Sequence, residues 1–269
     1  MLSEILIITI VMASFGSVLT FGNTEDQVSN GGKMVKIYPK QADLLPYWLY
    51  VPEDYNKNKA NYPVVVFLHG LGERGNQLDE VCTHGLPKLI AKGKHFPFIM
   101  IAPQCPNDGD MQDEKAKSFW WKNETVDKVM HIIDFEMARL KRIDKDRITI
   151  TGLSMGGFGC YKIVHLYPNV FAGVAPICGD DNSHPDKKDI VHIPFWAFHG
   201  EKDEVVPLAD QQKTIDALKK AGAQVTFTIY DNVGHNSWEQ TYVNPKLYHW
   251  LLAQNRKCIK GVRPRLGSN

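Results

Sequence analysis

The sequence predicts an α/β fold, with a mostly parallel sheet and helices on both of its faces. Short, continuously apolar runs recur along the chain, which is typical of strands covered on both faces. Segments with helical periodicity separate these runs, and such alternation indicates parallel strands joined by helices. The chain has 269 residues, of which 43% are hydrophobic. We therefore expect one domain over residues 33–255.

Eight strands are expected in this domain. The first two, at 33–38 and 47–51, have the pattern of an antiparallel pair. The six apolar runs that follow lie at 64–68, 99–102, 148–151, 171–177, 195–199 and 225–230.

Five helices are expected between and after these strands, at 77–92, 124–142, 155–166, 209–221 and 237–253. The clearest is 124–142, where one face carries apolar residues at i, i+3, i+4 and i+7 spacing. These residues are Val126, Val129, Met130, Ile133, Met137 and Leu140.

The two ends of the chain carry their own expectations. Ile5 to Ala13 is an apolar run of the length found in a secretory signal, and the small residues Thr20 and Gly22 suit a cleavage site, although no basic residue precedes the run. Residues 1–22 are therefore expected to be a signal peptide or an N-terminal anchor. Export to the periplasm or the exterior is the favoured location, and a cytoplasmic or anchored protein is the alternative. Residues 256–269 are expected to form a solvated basic tail.

Composition excludes several functions. With 31 basic and 30 acidic residues, the chain lacks the charge excess of a nucleic-acid-binding protein. The apolar run near the N-terminus is diluted by polar residues before it reaches the ~20 residues of a membrane span, so no stable membrane partner is expected. The five cysteines form no C-x-x-C pair and the ten histidines show no metal-ligand spacing. We expect neither a metal nor another cofactor.

Residues 147–159 (RITITGLSMGGFG) carry the strongest chemical signal. They contain the G-x-S-x-G pattern around Ser154, between a buried strand and a helix. The glycines are needed because the turn is so sharp that neighbouring backbone leaves no room for Cβ atoms. Ser154 is thus a candidate nucleophile.

A serine nucleophile needs a base and a group that orients the base. In this architecture the acid and then the histidine follow the serine, each after a later strand. Asp203 follows the seventh strand and His235 follows the eighth. Other acids could take the place of Asp203, namely Glu201, Glu204 and the Asp180-Asp181 pair.

Residues 64–75 (VVVFLHGLGERG) allow two interpretations. Gly70, Gly72 and Gly75 match the G-x-G-x-x-G pattern of dinucleotide-binding folds, but that fold needs an acidic residue ~20 positions on. No acidic residue lies between Glu80 and Asp108. The loop is better interpreted as a source of backbone N–H groups that stabilise an oxyanion. The donors would be the N–H groups of Leu71 and Met155.

With these motifs in view, the chain resembles the α/β-hydrolase superfamily over nearly its whole mature length. HGLGERG, APQCP, GLSMGG, HGEKDEVVP and VGHNSW look like the lidless carboxylesterases often called predicted esterases or peptidases. Feruloyl-esterase-like and acetylxylan-esterase-like enzymes are relatives of that group, as are the catalytic domains of prolyl oligopeptidases. The resemblance implies the triad Ser154, Asp203 and His235 and the oxyanion donors Leu71 and Met155.

Two features bear on the substrate. The connection at 179–193 is too short for a cap domain, so an open site is expected. Trp120, Trp121 and Trp238 are candidate substrate-binding residues, although Trp120 or Trp121 could instead anchor the loop to the core. The favoured substrates are small-molecule or carbohydrate-linked esters, such as acetyl or hydroxycinnamoyl esters of plant polysaccharide.

Two other functions stay open at this point. The same triad serves serine peptidases of the prolyl-oligopeptidase type, and a hydrolase fold can also serve as a non-catalytic binding module. Retention of all three triad residues argues against the binding module. The sequence carries no indication of oligomeric state.

Overall fold

The computed structural model describes residues 31–57, 59–112, 118–181, 183–184 and 186–258. These residues form one eight-stranded sheet in the order β1-β2-β4-β3-β5-β6-β7-β8. The strands are β1 (Met34–Ile37), β2 (Tyr47–Tyr50), β3 (Tyr62–Leu68), β4 (Ile99–Pro103), β5 (Ile143–Leu153), β6 (Gly173–Ile177), β7 (Phe195–Gly200) and β8 (Val225–Tyr230).

The sheet is antiparallel only at one edge. β1 pairs with β2 and β2 with β4 in antiparallel register, and all other pairs are parallel. β3, β4 and β6 are buried along their whole length, which explains why they read as continuous apolar runs. The predicted eight-stranded, mostly parallel sheet is confirmed.

Six α-helices accompany the strands. They are α1 (Gly85–Ala91), α2 (Asn123–Arg139), α3 (Met155–Leu166), α4 (Leu208–Ala221), α5 (Trp238–Val243) and α6 (Pro245–Ala253). Two predicted helices are shorter than expected. The segment 77–92 divides into a 3-10 turn, Leu78–Cys82, and α1, because the chain enters α1 through a left-handed Gly85 with φ 66°. The segment 237–253 divides at Pro245, which can begin a helix but not continue one.

The short connection between β6 and β7 agrees with the expectation of an open site. Among its described residues the regular structure is a single 3-10 turn, Lys188–Ile190, and no cap domain occurs in the described part of the chain. No helix in the described ranges is long and apolar enough to cross a membrane. All five cysteines lie in these ranges and are unpaired.

The predictions for the chain ends meet the structure only in part. The expected leader, residues 1–22, lies outside the described residues, as does 259–269. The expected solvated tail is wrong at its first residue, because Arg256 is 6% exposed and donates to Asp146 at 3.0 Å and to the carbonyl of Asn169. The basic side chain here anchors the end of the fold to the beginning of β5 and to the residues after α3.

Candidate active site

Ser154 occupies a strained turn between β5 and α3. Its backbone has φ 50° and ψ −117°, a conformation that L-residues rarely adopt. The turn depends on its two glycines, as the sequence predicted. A Cβ at Gly156 would lie 2.0 Å from the carbonyl oxygen of Leu68, and one at Gly152 would lie 2.5 Å from the carbonyl oxygen of Gly156. The strain presents the Ser154 hydroxyl at the carboxyl end of the central strand.

The three residues expected to form a triad are hydrogen-bonded in series. His235 Nε2 lies 2.8 Å from Ser154 Oγ, and His235 Nδ1 lies 2.8 Å from Asp203 Oδ2. The carboxylate fixes the tautomer, because it accepts the proton on Nδ1 and leaves Nε2 free to accept the serine proton. The ring of Trp238 packs edge-on against His235, with centroids 5.2 Å apart.

Asp203 is held by more than His235. Its Oδ1 accepts the N–H groups of Val205 and Val206, both at 2.9 Å, and the imidazole of His199 lies 3.3 Å from Oδ2. Burial acts to raise the pKa of Asp203, but the hydrogen bonds from His199, His235 and Val206 outweigh it, and the net pKa is well below its usual range. Asp203 is therefore a carboxylate at neutral pH.

The other acids weighed from the sequence have different partners. Asp181 is bound to His165, His184 and Lys187, whose Nζ contacts Asp181 Oδ2. Glu201 accepts the backbone N–H of Asn232, and Glu204 is exposed. Asp203 is the one of these acids that is hydrogen-bonded to His235. The sequence analysis did not identify His199 as a partner of Asp203. Its only indication in the sequence was its position within the apolar run that forms β7.

The loop after β3 is built around a buried histidine. His69 Nδ1 donates to the carbonyl of Gly70 at 2.6 Å, and its Nε2 accepts the N–H of Cys105 at 2.9 Å. Burial lowers the pKa of His69 to about 4, so the ring is neutral and can fill both roles. His69 thus ties the loop to the end of β4.

This arrangement leaves Leu71 at the start of a 3-10 turn, Leu71–Glu73, and Met155 at the start of α3. N–H groups in the first turn of a helix lack intrahelical acceptors and point outward. Both residues line the same cavity as Ser154. Two backbone donors can therefore face the space next to the serine hydroxyl.

A buried carboxyl lies beneath this loop. Glu73 is 7% exposed, and its Oε2 has no hydrogen-bond partner among the described residues. The nearest histidine nitrogens to its carboxylate are His84 Nε2 at 3.9 Å and His69 Nδ1 at 4.0 Å. Burial raises the pKa of Glu73, and its interaction with His84 offsets only part of that shift.

A cavity of about 660 Å³ opens beside Ser154. Its lining combines apolar side chains with polar and charged ones. The lining comprises Leu71, Met111, Trp121, Ser154, Met155, Phe158, Lys162, Asp180, Asp181, Ser183, His184, Val205 and Val206.

The three tryptophans predicted to bind substrate occupy different positions relative to the cavity. Trp121 lines the cavity and meets Phe158 edge-on, with centroids 6.2 Å apart. Trp120 is fully buried and donates its indole N–H to the carbonyl of His69 at 3.0 Å, so the prediction that it binds substrate is wrong. It anchors the loop, and Gly159 is needed to admit it, because a Cβ there would lie 2.5 Å from the Trp120 Cβ. Trp238 packs between His84 and His235 and lies outside the cavity lining.

Two groups of metal-ligand type occur among the described residues. One is Cys178, Asp203 and His235, where the last two belong to the hydrogen-bonded series at Ser154. The other is His165, Asp181 and His184, where the Lys187 ammonium already supplies the cation beside the Asp181 carboxylate. A second positive ion would be repelled there, so neither group is assigned a metal. The spacing of His165, Asp181 and His184 in the sequence did not indicate that the three side chains lie together.

Comparison with known proteins now adds to the geometry. Residues 54–245 match the phospholipase/carboxylesterase family. The chain belongs to this family. It is 25% identical to the carboxylesterase SOBER1 of Arabidopsis thaliana over 221 residues, which cover 73% of this chain and 94% of that protein. Membership agrees with the α/β-hydrolase resemblance of the motifs, and the protein is a carboxylic ester hydrolase.

Two further proteins are similar to this chain. The bifunctional acetylxylan esterase/xylanase XynS20E of Neocallimastix patriciarum is 24% identical over 215 residues, covering 80% of this chain but 28% of that protein. The crystal structure of a thermostable esterase superposes with a TM-score of 0.70 and 31% identity, covering 85% of this chain and 64% of that one. This chain thus spans under two thirds of both proteins.

Proposed function

We propose that this ester hydrolase works through an acyl-enzyme, with Ser154 as nucleophile, His235 as proton shuttle and Asp203 as the group that orients His235. The observation that supports it best is the series of hydrogen bonds joining the three side chains, 2.8 Å at each link. A serine peptidase would use the same series, and membership of the carboxylesterase family favours the ester as substrate.

The proposed reaction has two halves. Ser154 Oγ attacks the ester carbonyl carbon while its proton passes to His235 Nε2, and the alcohol then leaves with that proton. Water loses a proton to His235 and attacks the acyl-enzyme, which releases the acid and restores Ser154. In both halves the negative oxygen is stabilised by the N–H groups of Leu71 and Met155, and removing one such donor from a comparable site costs about 2.7–4 kcal/mol.

For the substrate, we propose small acyl esters and acetyl or hydroxycinnamoyl esters of plant polysaccharide. The open site supports this, because a sugar chain can extend from it into solvent. Acetylxylan esterase activity in a relative points the same way.

The first experiment measures hydrolysis of p-nitrophenyl acetate and methyl ferulate by the wild type, by Ser154→Ala and by Thr226→Ala. Thr226 is an exposed residue of β8, so its variant controls for loss of a hydroxyl as such. We expect wild type and Thr226→Ala to cleave both esters and Ser154→Ala to cleave neither. Activity retained in Ser154→Ala would overturn the proposal. Faster cleavage of a prolyl p-nitroanilide than of either ester would favour the peptidase instead.

We also propose that the protein is exported, on the strength of the apolar run from Ile5 to Ala13. The intact mass of the protein recovered from its native host tests this. A chain that begins near Asn23 supports cleavage of a signal peptide, and an intact N-terminus in the cytoplasm contradicts it.

A further inference from the structure

One face of α3 forms the floor of the cavity. Met155, Phe158 and Lys162 recur at helical spacing after Ser154, and all three line the cavity. Lys162 is eight residues beyond Ser154, which places its Cα about 12 Å along the helix axis. Helical side chains lean toward the N-terminus of their helix, so the Lys162 ammonium is directed back toward Phe158 and the serine.

This cavity lies on the acyl side of the site. His235 must hand its proton to the departing alcohol, so the alcohol leaves over His235. The cavity lining includes both oxyanion candidates, Leu71 and Met155, but, within the described ranges, it does not include His235. The group that enters the cavity is therefore the part of the ester that stays on Ser154.

The inner walls fit a flat ring better than a methyl group. Trp121 and Phe158 form an edge-to-face pair, and Met111 and Val206 add apolar surface on other sides. Aromatic side chains prefer such offset and edge contacts with a further ring. An acetyl group would leave most of the 660 Å³ unfilled.

The far end of the cavity is polar, and most of its charges are already satisfied. Besides Lys162 it contains Asp180, Asp181, Ser183 and His184. The Asp181 carboxylate accepts from His184 at 2.8 Å and also contacts buried Lys187.

Lys162 differs from these groups. Across the described ranges it makes no ion pair and no hydrogen bond, and it is half-buried. A half-buried ammonium beside an apolar cavity gains from an oxygen acceptor on the ligand. Asp180 at the same end repels a full negative charge, so a hydroxyl oxygen suits the site better than a carboxylate.

We propose that Lys162 determines acyl specificity by donating a hydrogen bond to an oxygen substituent at the far end of an aromatic acyl group, such as the 4-hydroxyl of a hydroxycinnamoyl ester. This rests on the proposed function, because it assigns the acyl group to a cavity beside Ser154. It selects substrates with a ring and a distal oxygen over plain aromatic or acetyl esters.

The test compares wild type, Lys162→Met, Lys162→Arg and the exposed control Lys219→Met on four esters. These are p-nitrophenyl acetate, methyl cinnamate, methyl 4-hydroxycinnamate and methyl 4-carboxycinnamate. We expect Lys162→Met to raise KM for the 4-hydroxy ester about tenfold, as for a lost hydrogen bond to a charged group. The values for acetate and cinnamate should stay within about twofold, Lys162→Arg should restore most of the loss, and Lys219→Met should resemble wild type.

Three results would overturn the proposal. Equal losses on cinnamate and its 4-hydroxy derivative would mean that Lys162 acts on folding or on the chemical step. An unchanged KM for the 4-hydroxy ester would mean that Lys162 does not contact it. A preference of the wild type for the 4-carboxy ester would mean that the site selects anions. Failure of the proposed function is a separate outcome, because it would appear as acetate hydrolysis that survives Ser154→Ala.

Discussion

The buried imidazole of His199 lies 3.3 Å from the carboxylate of Asp203, on the same oxygen that binds His235. One carboxylate therefore serves two histidines, of which His199 is fully buried. His199 Nε2 also donates to the carbonyl of Val206 at 2.9 Å, so it ties Asp203 to the loop that carries it.

His199 should make stability depend on pH. Burial acts to lower the pKa of His199, but its bonds to Asp203, Gln211 and Val206 outweigh burial and the net pKa is raised. A group whose pKa is raised on folding stabilises most below its unfolded pKa, about 6.5 for histidine. Its contribution is lost as pH rises through the folded-state value. We expect the free energy of unfolding of His199→Gln to vary less than that of wild type between pH 6 and 9, by urea denaturation. The exposed control, His249→Gln, should follow the wild type; parallel curves for wild type and His199→Gln would refute the prediction.

Glu73→Gln should stabilise the protein at neutral pH. The raised pKa of Glu73 means that its ionised form is disfavoured by burial in the folded state. Its effect on stability is thus most favourable below the unfolded pKa, near 4.5, and becomes a penalty as pH rises through the folded value. We expect a gain in the free energy of unfolding at pH 7 that shrinks toward pH 4. The exposed control Glu124→Gln should give no such gain. A loss of stability in Glu73→Gln at pH 7 would show that the carboxylate has a compensating donor.

Gly156→Ala should damage the fold as well as the site. Its Cβ would lie 2.0 Å from the carbonyl oxygen of Leu68, and backbone cannot move aside cheaply. We expect a loss of about 3 kcal/mol or more in the free energy of unfolding. Gly72→Ala is the matched control, because no atom lies within 4 Å of its new Cβ. Thermal unfolding of both variants tests this, and equal melting temperatures would contradict it.

Trp120 and Trp121 should respond in opposite ways to the same change. Trp120→Phe removes the donor to the buried carbonyl of His69 and should cost about 2 kcal/mol of stability. Among the described residues Trp121 makes no such bond, so Trp121→Phe should alter KM for methyl ferulate more than stability. Urea denaturation and ester kinetics on both variants separate the two roles. A larger change in KM from Trp120→Phe than from Trp121→Phe would reverse the assignment.

The sequence located much of this site because motif and topology act together. G-x-S-x-G puts Ser154 at the end of β5, and parallel strands bring the ends of β7 and β8 to the same edge, with Asp203 and His235. Contacts that depend on how deeply a side chain is buried could not be predicted from the sequence. Trp120 and Trp121 are adjacent in the sequence and are the same residue type. Trp120 nevertheless anchors the loop, whereas Trp121 forms a wall of the cavity. The cluster of His165, Asp181, His184 and Lys187 likewise forms only when α3 packs beside the connection after β6.

The position of the Arg256 side chain has a practical consequence. It is bound to Asp146, close to the beginning of β5, whereas Ser154 follows the end of that strand. Eight residues of extended chain separate the two positions by about 26 Å. A tether attached just after Cys258 therefore starts at the opposite edge of the sheet, and the enzyme can be immobilised on a solid support through it with the cavity facing outward.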